Sequence, residues 1–217
     1  MPLQRSTPLA IAAFFCLANS LFADTAHSLA GANALIQEWD RISFTLKKED
    51  QPKPLEQLIA KAHSMNDTRP GQAPTLIWEG IAHATYAGVK GGLGALGECK
   101  TAKALFEQAI AADPTALHGA AWTSAGSLYY QVPGWPIGFG DDKKAEEMLL
   151  KGLEYGPAEL DAHYFYADFL MKQKRKKEAV EILHKGLATP TDESRPLFQQ
   201  ARREKMQAML KEAQNSN

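Results

Sequence analysis

The chain has 217 residues, 45% of them apolar and 23% charged, with a formal net charge of −1. This is the make-up of one sizeable globular domain. A nearly neutral chain has no basic field to gather nucleic acid, so no nucleic-acid partner is expected.

The first element in chain order is a targeting segment. Arg5 is the only charge in residues 1–23, and the apolar run PLAIAAFFCLANSLFA follows it, ending at Ala23 before the polar DTAHS. A charged start, a short apolar run and a small exit residue predict a secretory signal peptide over residues 1–23, cleaved near Ala23. Asn19 and Ser20 interrupt the run, which falls short of the roughly 20 apolar residues that span a bilayer. No membrane span is therefore expected after cleavage, and the mature chain is assigned to the periplasm or the exterior. Cys16 leaves with the segment; Cys99 alone remains, so the mature fold holds without an internal disulfide.

Residues 24–70 predict a degenerate N-terminal helix pair. LAGANALIQEWDRISFTL carries Leu29, Ala32, Ile36, Trp39 and Phe44 at helical steps, and KPLEQLIAKAHSM is a second short amphipathic helix. DTRPGQAP, residues 67–74, is a turn-rich joint.

Residues 74–190 repeat a pattern. AKALFEQAIAADP holds Ala102, Phe106, Ala109 and Pro114; AEEMLLKGLEYGP holds Ala145, Leu149, Gly152 and Pro157; AVEILHKGLATP holds Ala179, Leu183 and Gly186, with Pro190 one residue early. A small, a large apolar and a small residue at steps of four and three lie on one helix face, and the prolines mark where each helix has ended. A glycine within a helix costs about 1 kcal/mol relative to alanine, so Gly152 and Gly186 predict close approach of a neighbouring helix. The segments before these match one another as well: Trp122, Ala125, Gly126 and Tyr129 correspond to His163, Tyr166, Ala167 and Leu170, and more loosely to Trp78, Ile81 and Ala82.

This pattern resembles tetratricopeptide (TPR) repeats. The resemblance implies an all-α, right-handed superhelix of antiparallel helix pairs: three pairs within residues 74–190, the first two with longer internal connections. Residues 191–217 supply a C-terminal capping helix, LFQQARREKMQAMLKEAQ, and a disordered NSN tail. The first helix of each TPR pair lines a concave groove, which places Glu79, His83 and Tyr86, then Thr123, Ser127 and Tyr130, then Tyr164, Asp168 and Met171 on a partner-binding face. That mixture suits a peptide or a small amphipathic ligand; the other reading is that the tyrosines only pack on adjacent helices. Groove lysines and arginines of the kind that clamp a C-terminal carboxylate are missing from this set.

Chemistry is weakly signalled. GLGALG at 92–97 fits GxGxxG, but the segment before it is helical in pattern rather than a strand, so it reads as a flexible connection and not as a nucleotide cradle. The loop YYQVPGWPIGFGDD, from residue 129 to 142, lacks a GKS or GKT ending, and Asp141 and Asp142 suit a helix start that would repel phosphate. The six histidines form no ligand spacing, His163 fits a core place, and Cys99 reads as a half-buried thiol. No enzyme activity, metal or cofactor is expected. Trp135, Ile137 and Phe139 are unusual for a solvated turn and predict an ordered lid folded near the groove mouth.

Two functions follow. The first is a periplasmic interaction protein that scaffolds or recruits another envelope protein or peptide. The second rests on YYQVPGWPIGFGDDKKAEEMLLKGL, which is similar to the T component of some TRAP-type transporters; this implies an accessory that binds a small hydrophobic or anionic solute for uptake. A solute accessory should enclose an apolar-lined space, whereas a scaffold should leave an open groove.

Overall fold

The computed structural model describes residues 29–215, and these are helical with no strand among them. The predicted signal peptide lies outside the described residues, as do Ser216 and Asn217 of the predicted tail; Asn215 is the last residue of a helix. In chain order the helices are α1 (29–45), α2 (Pro52–Thr68), α3 (Ala73–Lys90), α4 (Gly92–Ala112), α5 (Ala116–Gln131), α6 (Asp142–Tyr155), α7 (Leu160–Lys172), α8 (Lys176–Leu187) and α9 (Pro196–Asn215). A single 3-10 turn, Lys48–Asp50, joins α1 to α2.

Local chemistry fixes several of these ends. Pro52 and Pro196 open α2 and α9 at the first helical position, where a missing N–H leaves nothing unpaired. Asp141 caps α6, its carboxylate accepting the Lys144 N–H at 3.0 Å. Between α3 and α4 the chain turns on Gly91 and Gly92, both with φ near +60°, a conformation that glycine adopts without steric cost. GLGALG is thus not a flexible connection: it forms the first turns of α4, and the first repeat has a one-residue link instead of a long one. The packing face that α4 presents to α3 outweighs the poor helix propensity of its glycines.

Each helix packs on the next, most extensively α3 on α4, α5 on α6 and α7 on α8. Glycines set the closeness of these contacts. A Cβ on Gly152 of α6 would lie 2.2 Å from Thr123 Oγ1 of α5, and one on Gly186 of α8 would lie 2.6 Å from His163 Cβ of α7. His163 is buried there, its Nδ1 3.0 Å from the Glu159 carbonyl oxygen.

The central core runs through α3–α8 around Phe106, Leu149 and Phe169, and a second core joins α1, α2 and α3 around Leu35, Ile42 and Trp78. A third joins α7, α8 and α9 and also takes in Trp39 and Phe44 of α1. Phe44 meets Phe198 of α9 with ring centroids 6.3 Å apart, and Trp39 stands edge-on to both Phe44 and Trp78. The row of helices therefore closes on itself, with α9 covering α7 and α8 and also reaching α1. The open groove expected of an array is narrowed to a recessed interior that stays open along one rim, because the aromatic face of α1 is buried against the far end of the chain.

Candidate functional site: a cavity inside the closed row

The interior holds two adjoining chambers of about 490 Å³ and 190 Å³. Both are lined by Trp78, Ile81, Ser124, Asp161, Phe165 and Arg195. Ligand sites typically occupy about 300–1,000 Å³ and combine apolar walls with a few convergent polar groups. Every layer of the fold contributes. α1 gives Asn33, Ile36 and Gln37 to the larger chamber and Trp39 to the smaller; α3 gives Trp78 and Ile81 to both; α7 gives Phe165; the C-terminal segment gives Asp192, Ser194, Arg195 and Phe198.

Three features mark the cavity. First, Leu117, His118 and Gly119 at the start of α5 all have φ between 47° and 75°, a left-handed turn. Such a conformation costs a non-glycine residue roughly 1–2 kcal/mol, and it points to a site where shape outranks local comfort. Leu117 and His118 both line the larger chamber, and His118 Nδ1 lies 2.5 Å from Glu159 Oε1 on its rim. Gly119 is required, since a Cβ there would meet Tyr155 Cβ at 2.7 Å.

Second, three residues of the lining carry buried polar atoms without a directed partner. Trp78 is 6% exposed, and its indole N–H has no acceptor within the protein. Arg202 Nε and Asp161 Oδ1 lie 2.5 Å apart but off the hydrogen-bonding direction, leaving an ion pair and no aligned bond. An unmet buried donor is costly, and the indole N–H is closed off from water as well as from protein acceptors.

Third, the cations of the wall are held in place. Arg195 donates through Nε and Nη2 to both oxygens of Asp40, at 2.9 and 2.7 Å, and its guanidinium lies over the rings of Phe198 and Trp78. Arg202 lies over Tyr164, 4.1 Å from the ring centre. At the mouth, Ser194 donates its hydroxyl and backbone N–H to Asp192, which holds that carboxyl below the usual carboxylate range.

The nine residues expected on a groove do not share one surface. Glu79 and Tyr86 are buried against α2. Glu79 accepts from Asn66 Nδ2 at 2.5 Å and meets His63 Nδ1 at 2.9 Å, and the Tyr86 hydroxyl donates to Glu56. His83 turns to Glu98 of α4, with Nδ1 2.8 Å from Oε2. Thr123 lines the larger chamber and Ser127 the smaller. The Tyr130 hydroxyl donates to Asp168 at 2.7 Å, and burial, then the Asp168 charge, push its pKa up. Tyr164, Asp168 and Met171 line a separate depression beside α9. Beside Thr123 and Ser127, the cavity is faced by Trp78, Ile81 and Thr85 of α3, by Ser124 of α5 and by Phe165 of α7, so that on α3 and α7 a different stripe turns inward.

The 132–141 loop is ordered but covers neither chamber. Gly140 N–H donates to the Pro133 carbonyl at 3.0 Å, Asp141 N–H donates to that of Tyr129 at 2.9 Å, and the Trp135–Pro136 bond is cis. Phe139 packs edge-on against Tyr129, with centroids 5.5 Å apart, which folds the loop back onto the end of α5. Trp135 and Ile137 point outward, 90% and 69% exposed.

No helix among the described residues is long and apolar enough to cross a membrane. A comparison with curated proteins found no match. The family model described as TRAP transporter T-component matches residues 25–216, almost the full chain, and the protein belongs to that family.

Proposed function

We propose that this protein serves a TRAP-type transporter as a non-catalytic, periplasmic accessory component that holds a small solute in the cavity enclosed by α1, α3, α5, α7 and the segment leading into α9. The solute has an apolar body and at least one acceptor oxygen, neutral or anionic. The observation that carries this reading is the wall shared by both chambers, where the rings of Trp78 and Phe165 and the side chain of Ile81 stand beside the polar groups of Ser124, Asp161 and Arg195. Ile36, Ile81, Phe165 and Phe198 supply apolar surface for the body. Family membership favours this role over that of a general envelope scaffold working through an open groove. In this reading the three helix pairs follow a TPR-like superhelical path whose inner face has closed.

Contact with a protein component of the transporter is the second part of the reading, supported by the outward pair Trp135 and Ile137. Exposed aromatic and branched apolar side chains of this kind are enriched where partners meet. Native mass spectrometry of the protein purified from its own envelope tests both parts. A stoichiometric small molecule that is lost in a Trp78→Ala, Phe165→Ala variant supports the solute role; an empty protein that carries only a protein partner overturns it.

A further inference from the structure

Beside α9, away from the cavity, lies an open depression of about 460 Å³. Lys172 at the end of α7, Lys176 at the start of α8 and Lys205 of α9 stand around it, while Met171, Met209 and Tyr164 form apolar parts of its wall. Two carboxylates also line it. Asp168 is engaged by the Tyr130 hydroxyl and lies 4.0 Å from Lys172 Nζ; Glu212 sits on the α9 side.

The cations are concentrated here although the whole chain is nearly neutral. KQKRKK, residues 172–177, packs five basic residues into the turn between α7 and α8. Arg175 is engaged by Glu146 and Glu178, whereas Lys174 and Lys177 are exposed beside the depression. Burial, then the nearby Arg202, pull Lys205 below the usual lysine range, against the opposing charge of Asp161.

We propose that this depression seats a phosphate-bearing amphiphile, with the ammonium groups of Lys172, Lys176 and Lys205 on the phosphate oxygens and Met171, Met209 and Tyr164 against the adjoining apolar part. Three separate point-charge donors match the several oxygens of a phosphate better than the two of a carboxylate. The phosphate comes from an anionic phospholipid surface or from a soluble phosphate compound, and the two are separable.

The test measures partition of the mature protein onto mixed phosphatidylglycerol–phosphatidylcholine vesicles and onto phosphatidylcholine alone, with a parallel titration by inorganic phosphate followed through lysine side-chain NMR. Binding only to the anionic vesicles is expected. The K176Q/K205Q pair should lose about thirty-fold, the scale for two lysines at a membrane surface. K174Q/K177Q removes the same charge outside the depression and should lose distinctly less. Absence of vesicle binding with phosphate-induced shifts at Lys176 and Lys205 assigns the site to a soluble phosphate compound. Equal losses in the two variants, no loss in either, or no response to vesicles and phosphate overturns the proposal. Far-UV circular dichroism of both variants verifies that each is folded.

Discussion

Arg195 grips Asp40 through both carboxylate oxygens, joining residues 155 positions apart and fastening the last helix to the first. The pair is mostly withdrawn from water, with Asp40 8% exposed. Breaking a buried pair by removing one partner costs about 3–5 kcal/mol; Arg195 keeps some contact with solvent, so Asp40→Ala should fall near the lower end. Urea unfolding gives the stability, and native mass spectrometry of the same variant should show the solute released.

Trp78→Phe removes the indole N–H together with part of the ring's bulk. That N–H has no partner in the protein, so no hydrogen bond is lost with it, and the smaller ring at a buried position should cost about 1–3 kcal/mol. Solute occupancy should drop. A variant that retains solute in full would show that the Trp78 ring is not part of the wall that holds it.

Gly152→Ala should cost about 1–3 kcal/mol, the range for overpacking a well-filled contact, since the new methyl would sit 2.2 Å from Thr123 Oγ1. Thr123→Ala in the same chain should recover part of the loss. A double-mutant cycle by urea denaturation reads the coupling.

His118→Gly should raise stability by roughly 0.5–1 kcal/mol by relieving a left-handed residue. It also removes the contact with Glu159 at the rim. Faster solute loss in a more stable protein would identify the left-handed turn as a feature kept for the site.

Stability should fall as pH rises through the neutral range. The hydrogen bond and charge of Glu79, then the charge of Asp67, raise the pKa of His63 above its ordinary 6.5. A group whose pKa is raised on folding contributes fully below its unfolded value, and that contribution fades as pH climbs through the folded one. Chemical denaturation from pH 5.5 to pH 8.5, with His63→Gln as the flat reference, tests the direction.

The helices were legible because their cues are local. Ala145, Leu149 and Gly152 repeat the spacing of Ala179, Leu183 and Gly186, and the glycines announced contacts that the structure shows at Thr123 and His163. The inner face was not legible, because which stripe of a helix turns inward depends on how the whole row curves. Glu79 and Tyr86 look like groove residues in isolation; Asn66 and Glu56, on the preceding helix, bury them. The fusion of GLGALG into α4 was hidden for the same reason, since packing overrode glycine's poor propensity. Closure through Asp40 and Arg195 has no short-range signature at all. Trp78 stood among the repeat positions, and its only clue was its polar atom: an indole in an otherwise apolar stripe needs a partner from somewhere.

The seam between α1 and α9 also sets an order of assembly. Pairs such as α3–α4 and α5–α6 bring near neighbours in sequence together, and such contacts form fast. The cavity needs Arg195 and Phe198, so it has no complete wall until the final helix has docked. A chain ending before residue 192 should still form helices but hold no solute. If the cavity holds a solute as proposed, capture is a property of the finished ring, and opening that one seam is enough to undo it.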